Sequence, residues 1–216
     1  MIFVKICGLS TPEMLATAVG AGADSVGFVH FAKSPRHVTL SELEKLISKT
    51  PISIQPWVVL ANPFTEQLTK LSQINLGHAG LQVHGSFSAD SLLRLKSARP
   101  EIKLMRGISV STKDDLPHAD SVAAYDQLLF DAKPRPEDKL PGGNGVAFDW
   151  QVMTSYTLDK PWLLAGGLTP ENVVQAIELS GAKGVDVSSG VESAPGVKDA
   201  DKVRAFIAAA KSVSDK

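Results

Sequence analysis

The chain has 216 residues, 44% of them hydrophobic, and a formal net charge of −1. That length suffices for one α/β domain with a full core, and this hydrophobic content is ordinary for a soluble globular protein. The near-neutral charge gives no reason to expect nucleic acid or an anionic membrane as a partner, and we find neither a signal peptide nor an apolar run of membrane-spanning length. The single cysteine excludes an internal disulfide, so we expect a reducing compartment, the cytoplasm.

Short apolar runs recur along the chain and predict eight strands. Most of these runs are too apolar to be half exposed, which is typical of parallel strands covered on both faces. The predicted strands are residues 2–7, 25–31, 56–61, 80–84, 102–109, 127–131, 162–166 and 184–188.

Helix signals lie between most of the predicted strands. Residues 10–13 (STPE) place an N-cap before a proline, and residues 39–42 (TLSE) form a capping box. Residues 169–171 (TPE) predict the start of a further helix, and Ser88 is a candidate cap of another. The last helix carries one apolar stripe, which consists of Val203, Phe206, Ile207 and Ala210.

Strands that alternate with helices predict a parallel sheet, and eight such units in this length predict a single α/β domain, a (β/α)8 barrel over residues 1–216. A doubly wound open sheet is the alternative, but it usually has fewer strands, and no GxGxxG motif follows the first strand. The one long irregular stretch, residues 132–146, is rich in proline, glycine and charge, and a loop of that length is usually functional or mobile.

Cys7 lies where the first predicted strand ends. Side chains alternate along a strand, so Phe3, Lys5 and Cys7 share one side. In a barrel the chemistry lies at the carboxyl ends of the strands, which places the thiol for catalysis; a buried structural cysteine is the alternative. Lys5 needs a carboxylate partner if it is buried, and its charge would also lower the thiol pKa.

Asp131 follows three apolar residues at the end of the sixth strand. An unpaired carboxylate in such surroundings resists ionisation, so we expect a raised pKa, which suits a general acid; a loop-capping aspartate is the alternative. Asp126 lies near the start of the same strand, at the end of a barrel that is associated with stability.

Glycine and serine follow the last two strands, at Gly166, Gly167 and residues 188–190 (SSG). Small residues let backbone N–H groups approach an anion, and the loops after strands seven and eight often hold phosphate in barrels. The two loops together predict a phosphorylated small molecule as the ligand.

Arg36 stands in a rigid turn after the second strand, where it can grip a carboxylate with two parallel hydrogen bonds. A solvent-exposed loop charge is the alternative. His84 shares a strand face with Gln82, and either a catalytic role or a hydrogen-bonded barrel histidine fits, the second being commoner. The five histidines lack the spacing of a metal site, so we predict no metal.

Taken together, these motifs resemble the N-(5′-phosphoribosyl)anthranilate isomerase family, which works in tryptophan biosynthesis. The match runs in order from the first strand to the last helix, and the combination of KICG, SPR and DVSSGVE is specific. The matching segments are residues 5–9 (KICGL), 27–28 (GF), 34–36 (SPR), 82–85 (QVHG), 130–131 (FD), 142–145 (GGNG), 148–150 (FDW), 165–168 (AGGL) and 185–192 (VDVSSGVE).

The resemblance implies a cofactor-free Amadori rearrangement of phosphoribosylanthranilate to 1-(2-carboxyphenylamino)-1-deoxyribulose 5-phosphate. It implies that Asp131 is the general acid and that Cys7 is the general base. It further implies that Arg36 holds the anthranilate carboxylate and that Asp186 binds sugar hydroxyls. The residues that it implies for the phosphate are Gly167, Ser189 and Gly190.

The glycine loop departs from the family pattern. Many members carry Lys or Arg and then Thr before Phe-Asp-Trp, where this chain has Val146 and Ala147, and Asn144 replaces a frequent Thr or Ser. We expect these differences to affect loop closure or substrate affinity.

Other functions fit a phosphate-binding barrel. A pentulose-phosphate epimerase would need metal-binding His and Asp at strand ends, which we do not find, and an indole-glycerol-phosphate lyase is a further rival. The related histidine-pathway isomerase has Asp where Cys7 stands. A non-catalytic binding subunit is disfavoured because both Cys7 and Asp131 are retained. We expect a monomer.

Overall fold

The computed structural model describes residues 1–133 and 148–213. Eight parallel strands close into a barrel in chain order, with the last strand hydrogen-bonded to the first, so the predicted fold class is confirmed. Each predicted strand end lies within two residues of the observed one. The strands are β1 Phe3–Cys7, β2 Ser25–Val29, β3 Gln55–Ala61, β4 Gly80–His84, β5 Leu104–Val110, β6 Gln127–Ala132, β7 Trp162–Leu164 and β8 Gly184–Val187.

Helices connect most strands and pack against the outside of the barrel. The helix after β2 begins with the predicted capping box at Thr39 and Glu42, and Ser88 caps the helix after β4 by accepting the Ser91 N–H. The four stripe residues of the last helix are all buried. The helices are α1 Pro12–Gly20, α2 Leu40–Lys49, α3 Thr65–Gln73, α4 Ala89–Ala98, α5 Ala119–Val122, α6 Val173–Ser180 and α7 Ala200–Lys211.

One helix start was not predicted from the sequence, and another lies later in the chain than predicted. Phe64 occupies the N-cap of α3, and no side chain caps this helix. The predicted start of α6 at residue 169 is wrong, because the Asn172 side chain accepts the Thr169 N–H and holds residues 169–172 as a turn. The helix therefore begins only at Val173.

Strand side chains alternate between two apolar cores. The even-numbered residues of β1 point outward, with Val4 and Ile6 packed in the layer between strands and helices, whereas Phe3 faces the interior of the barrel. Each large side chain buried in this way contributes roughly 1.5–3 kcal/mol. The inner core fills the interior of the barrel and consists of Trp57, Met105, Leu129, Leu163 and Ala165.

The inner core occupies the part of the barrel interior below the polar residues of the site. Cys7 lies four residues beyond Phe3 and Asp131 lies two beyond Leu129, so both face inward, nearer the carboxyl ends of the strands. The apolar residues therefore close the barrel beneath the chemistry-bearing side chains.

A small hairpin follows β8, formed by β9 (Glu192–Ala194) and β10 (Val197–Lys198). Gly196 in its turn has a φ of +83°, and a Cβ there would lie 2.4 Å from the carbonyl oxygen of Pro35. The hairpin therefore packs closely on the loop after β2, and nothing in the sequence analysis predicts it.

No helix in residues 1–133 or 148–213 is both long enough and apolar enough to cross a membrane.

Candidate active site

An open cavity lies at the carboxyl ends of the strands. The empty space within it, including the mouth, is about 790 Å³. Residues predicted from four strand ends and the loop after β2 meet there, because barrel closure brings those ends together. Every predicted site residue lines the cavity, namely Cys7, Arg36, Asp131, Gly167, Asp186, Ser189 and Gly190.

Cys7 and Lys5 lie side by side against Gly27 of β2. A Cβ on Gly27 would stand 2.8 Å from the sulfur of Cys7 and 3.2 Å from the nitrogen of Lys5. Burial raises the pKa of the Cys7 thiol, and the positive charge of Lys5 opposes that rise without cancelling it. The expected effect of Lys5 is therefore present, but the net direction is upward because burial outweighs it.

Asp186 is the carboxylate partner that buried Lys5 requires. The Lys5 ammonium donates to Asp186 Oδ1 at 2.8 Å, and the lysine is fully buried. Burial lowers the pKa of Lys5, but the charges of Asp186 and Cys7 outweigh burial and hold it above its usual value. The lysine therefore stays protonated beside the thiol, while Asp186 also faces the cavity.

The Asp131 carboxyl lies against the loop that follows β7. Its Oδ1 accepts the Ala132 N–H at 2.9 Å, and a Cβ on Gly166 would lie 3.0 Å from the same oxygen. Asp126, which immediately precedes β6, accepts the Leu104 N–H at 2.7 Å and does not line the cavity. Asp131 thus lies at the cavity end of β6 and Asp126 just before its other end, as the sequence predicts.

Arg36 is buried at the edge of the cavity, so the alternative of a solvent-exposed loop charge is wrong. Its Nε and Nη2 donate to the two carboxylate oxygens of Glu192 at 2.7 and 2.8 Å. A guanidinium has five N–H donors in a planar fork, so the edge formed by Nη1 and Nη2 remains for a second carboxylate. The sequence pattern places Arg36 in the site but does not indicate Glu192 as its partner.

His84 and Gln82 form a hydrogen-bonded pair on the wall of the cavity. Their Nε2 atoms are 2.7 Å apart, and the imidazole lies on Gly107, where a Cβ would be 2.3 Å from the ring. Burial, aided by the charges of Lys5 and Arg106, lowers the pKa of His84 to about 4. The ring is therefore neutral at pH 7, as a hydrogen-bonded barrel histidine.

The loops after β7 and β8 touch each other at the cavity. Gly166 and Gly167 have φ values of +87° and +63°, in the region that favours glycine. A Cβ on Gly190 would lie 1.8 Å from the carbonyl oxygen of Leu168, so only glycine fits there. These loops are adjacent, as a phosphate site would require; phosphate binding itself stays a prediction.

The glycine loop and its departures at Asn144, Val146 and Ala147 lie outside the described residues. Within the described ranges, no group of three or more His, Cys, Asp or Glu side chains is arranged to hold a metal ion.

A closed parallel barrel with ionisable side chains at the carboxyl ends of its strands defines a (β/α)8-barrel enzyme. The family model of N-(5′-phosphoribosyl)anthranilate (PRA) isomerase matches residues 4–209. The chain is 47% identical to the N-(5′-phosphoribosyl)anthranilate isomerase of Paracoccus denitrificans, over 97% of both chains. It is 45% identical to that of Paramagnetospirillum magneticum, over 96% of both.

Solved structures agree with these relatives. The phosphoribosyl anthranilate isomerase of Thermotoga maritima superposes with a TM-score of 0.82 at 33% identity, covering 99% of this chain and 100% of that one. A phosphoribosyl anthranilate isomerase in complex with reduced 1-(o-carboxyphenylamino)-1-deoxyribulose 5-phosphate superposes at 0.77, with 29% identity and coverage of 99% and 100%. The chain belongs to the N-(5′-phosphoribosyl)anthranilate isomerase family, an isomerase family of tryptophan biosynthesis, which confirms the resemblance found in the sequence.

Proposed function

We propose that the chain catalyses the family's Amadori rearrangement with Cys7 as the general base and Asp131 as the general acid. The observation that carries this proposal is that both side chains line one cavity although they come from β1 and β6, with β7 and β8 between them. A proton donor and a proton acceptor on different walls of a small cavity can act on one bound sugar.

The proton transfers balance without a cofactor. Asp131 gives its proton to the ring oxygen as the C1′–O bond breaks, which forms the Schiff base and a free 4′-hydroxyl. Cys7 takes the proton from C2′, and the electrons of that C–H bond form the enolamine. C1′ then gains a proton while the C2′ hydroxyl loses one, which gives the ketone. Exchange with solvent restores the two catalytic groups.

The other cavity residues hold the two anionic ends of the substrate. The outer edge of the Arg36 guanidinium is suited to the anthranilate carboxylate, and Asp186 reaches sugar hydroxyls. Backbone N–H groups of Gly167, Ser189 and Gly190 bind the phosphate. Holding both ends brings C2′ and the ring oxygen to the catalytic pair.

Removing either catalytic group tests this assignment. In Cys7→Ala and Asp131→Asn we expect kcat to fall by about 10²–10⁴-fold, because general acid–base groups typically contribute that much. The decay of substrate fluorescence measures turnover, and circular dichroism checks the fold.

Asp126→Asn is the matched control for Asp131→Asn, since Asp126 immediately precedes the same strand and lies outside the cavity lining. It should keep its kcat even if the barrel becomes less stable. Undiminished turnover in Cys7→Ala would rule out the thiol as the base.

The same proposal treats residues 1–216 as one catalytic domain that acts as a cytoplasmic monomer on a small phosphorylated substrate. The single cysteine fits a reducing compartment. Among the structural relatives is a set of monomers generated from a dimeric Thermotoga maritima enzyme, so light scattering at micromolar concentration is the direct test of the oligomeric state. A mass of twice 22.9 kDa would contradict the monomer.

A further inference from the structure

Three charged side chains form a buried network beside the cavity. Glu192 lies at the centre and accepts Nε and Nη2 of Arg36 at 2.7 and 2.8 Å, and the Lys198 ammonium at 2.8 Å. All three residues are less than a tenth exposed. Burial lowers the pKa of Lys198 and the charge of Glu192 opposes that fall. With Lys198 protonated, the network carries a net charge of +1 at the edge of the site.

Glu192 fixes one edge of the Arg36 guanidinium. Because the carboxylate occupies the Nε and Nη2 side, the other edge is the one left to face a ligand. The stem of Arg36 is also confined, since a Cβ on Gly8 would lie 2.6 Å from its Cδ. Gly196 completes the support by donating its N–H to Glu192 Oε2 at 3.1 Å.

Lys198 fixes the other end of the site. Its ammonium donates to the carbonyl oxygen of Ser188 at 2.8 Å, and Lys198 itself does not line the cavity. The peptide bond is planar and trans, so the N–H of Ser189 points opposite to the carbonyl of Ser188. Lys198 binds this carbonyl from outside the cavity lining, so the opposite side of the peptide, which carries the Ser189 N–H, is the side left for a ligand.

We propose that Glu192 and Lys198 are positioning residues that set both substrate anchors at once, Glu192 by orienting Arg36 and Lys198 by orienting the Ser188–Ser189 peptide. This inference rests on the anchoring roles given above to Arg36 and Ser189. One hairpin, β9–β10, carries both residues, so it fixes the distance between the carboxylate end and the phosphate end of the site.

A purely stabilising role is the weaker explanation of the network. Replacing a buried ion pair with apolar residues is often neutral for stability, so such pairs are weak evidence of a contribution to folding. Buried ion pairs do fix the orientation of the groups that they join. Here both groups that the network contacts, Arg36 and the Ser188–Ser189 peptide, line the cavity.

The first test shortens Glu192 without removing its charge. Glu192→Asp keeps the carboxylate but cannot reach both nitrogens of Arg36 in the same place, so we expect KM to rise at least about tenfold with kcat changed less than about threefold. Lys198→Met should weaken inhibition by inorganic phosphate by a similar factor, while Glu192→Asp should leave that inhibition within about twofold.

The control is Lys211→Met, which removes a partly buried ion pair to Asp24 on residues that do not line the cavity. It matches the loss of a charge pair and should leave both KM and phosphate inhibition unchanged. Circular dichroism and thermal unfolding of each variant separate loss of fold from loss of affinity. An unchanged KM in folded Glu192→Asp, or unchanged phosphate inhibition in folded Lys198→Met, would overturn the inference for that anchor.

Arg36→Met distinguishes this inference from the proposal beneath it. If Arg36→Met leaves KM unchanged, the anchoring role of Arg36 is wrong. If Arg36→Met raises KM while Glu192→Asp does not, Arg36 binds substrate and the positioning role of Glu192 is wrong. If Glu192→Asp does not fold, Glu192→Gln takes its place, because the amide keeps the length of the side chain but offers only one acceptor to Arg36 and Lys198. A raised KM in folded Glu192→Gln supports the positioning role, and an unchanged KM contradicts it.

Discussion

At the scale of single residues, the thiol of Cys7 is under two opposed influences. Burial, with the charge of Asp186, disfavours the thiolate, whereas the ammonium groups of Lys5 and Lys198 favour it. A group that must accept a proton from carbon benefits from high basicity, but it must also be ionised when the substrate arrives. The neighbouring lysine limits the cost of ionising a buried thiol.

The first prediction concerns the ionisation of Cys7. From the dependence of its alkylation rate on pH, we expect a thiol pKa above the ordinary value in the wild type, and a higher one in Lys5→Met, which loses the charge that opposes burial. Iodoacetamide labelling followed by mass spectrometry measures the rate at the chain's single cysteine. An ordinary thiol pKa that Lys5→Met leaves unchanged would contradict this account.

The second prediction concerns stability in acid. His84 has a pKa of about 4 in the folded chain and about 6.5 when unfolded, so the unfolded state binds the extra proton between these values. The contribution of neutral His84 to the free energy of unfolding is therefore complete above pH 6.5. It is lost as the pH falls toward 4, and the loss is on the order of 3 kcal/mol.

Urea unfolding at a series of pH values measures this loss. His84→Gln removes the titrating group and keeps a hydrogen-bonding side chain, so its stability should fall less between pH 6.5 and 4 than that of the wild type. If the free energy of unfolding falls equally with pH in the two proteins, groups other than His84 cause the loss of stability in acid.

Sequence reasoning could place the cavity residues but not their ion-pair partners. Cys7 and Asp131 end strands, and the carboxyl ends of barrel strands must meet, so their positions followed from the strand pattern. Glu192 pairs with Arg36 across 156 positions, and no local spacing encodes that contact. The direction of the pKa shift of Cys7 could not be predicted either, because it depends on how fully the thiol is buried.

At the scale of elements, strands were predicted more accurately than helices. Strands buried on both faces form continuous apolar runs, and all eight appear where the sequence places them. A helix start depends on one capping side chain, and such a signal is absent at α3 and displaced at α6, where Asn172 closes a turn first. The β9–β10 hairpin is only a few residues long and is held by Glu192 and Lys198 rather than by an apolar pattern.

The third prediction concerns contact between the loops after β7 and β8. In Gly190→Ala the new methyl group would meet the carbonyl oxygen of Leu168 at 1.8 Å, so one loop must move. We expect weaker inhibition by inorganic phosphate and a lower melting temperature, since forcing a methyl group into a packed site typically costs ~1–3 kcal/mol.

Gly20→Ala is the matched control, because a Cβ at Gly20 in α1 meets nothing within 4 Å. It should leave phosphate inhibition unchanged and keep or raise the melting temperature, as alanine favours a helix over glycine. If Gly190→Ala also leaves phosphate inhibition and the melting temperature unchanged, the close contact between Gly190 and Leu168 does not constrain the two loops.

At the scale of the whole molecule, closure of the barrel creates the site. β8 pairs with β1, so the last strand brings Asp186 beside Lys5. The loop after β8 also meets the end of β1, since a Cβ on Gly8 would lie 3.0 Å from the Ser188 hydroxyl oxygen. The inner apolar core supports this layer from below, while the hairpin after β8 extends it to Arg36. The proposed acid, base and substrate anchors thus depend on the topology of the whole barrel rather than on any local motif.

The most direct test of the catalytic pair is a crystal structure with the reduced product analogue that a relative binds. The account predicts the sulfur of Cys7 beside C2′ and the carboxyl of Asp131 within about 2.6–3.2 Å of the sugar oxygen that leaves the ring, with the phosphate on the loops after β7 and β8. A bound analogue that touches the phosphate loops while either the sulfur or the carboxyl stays away from the sugar would contradict it.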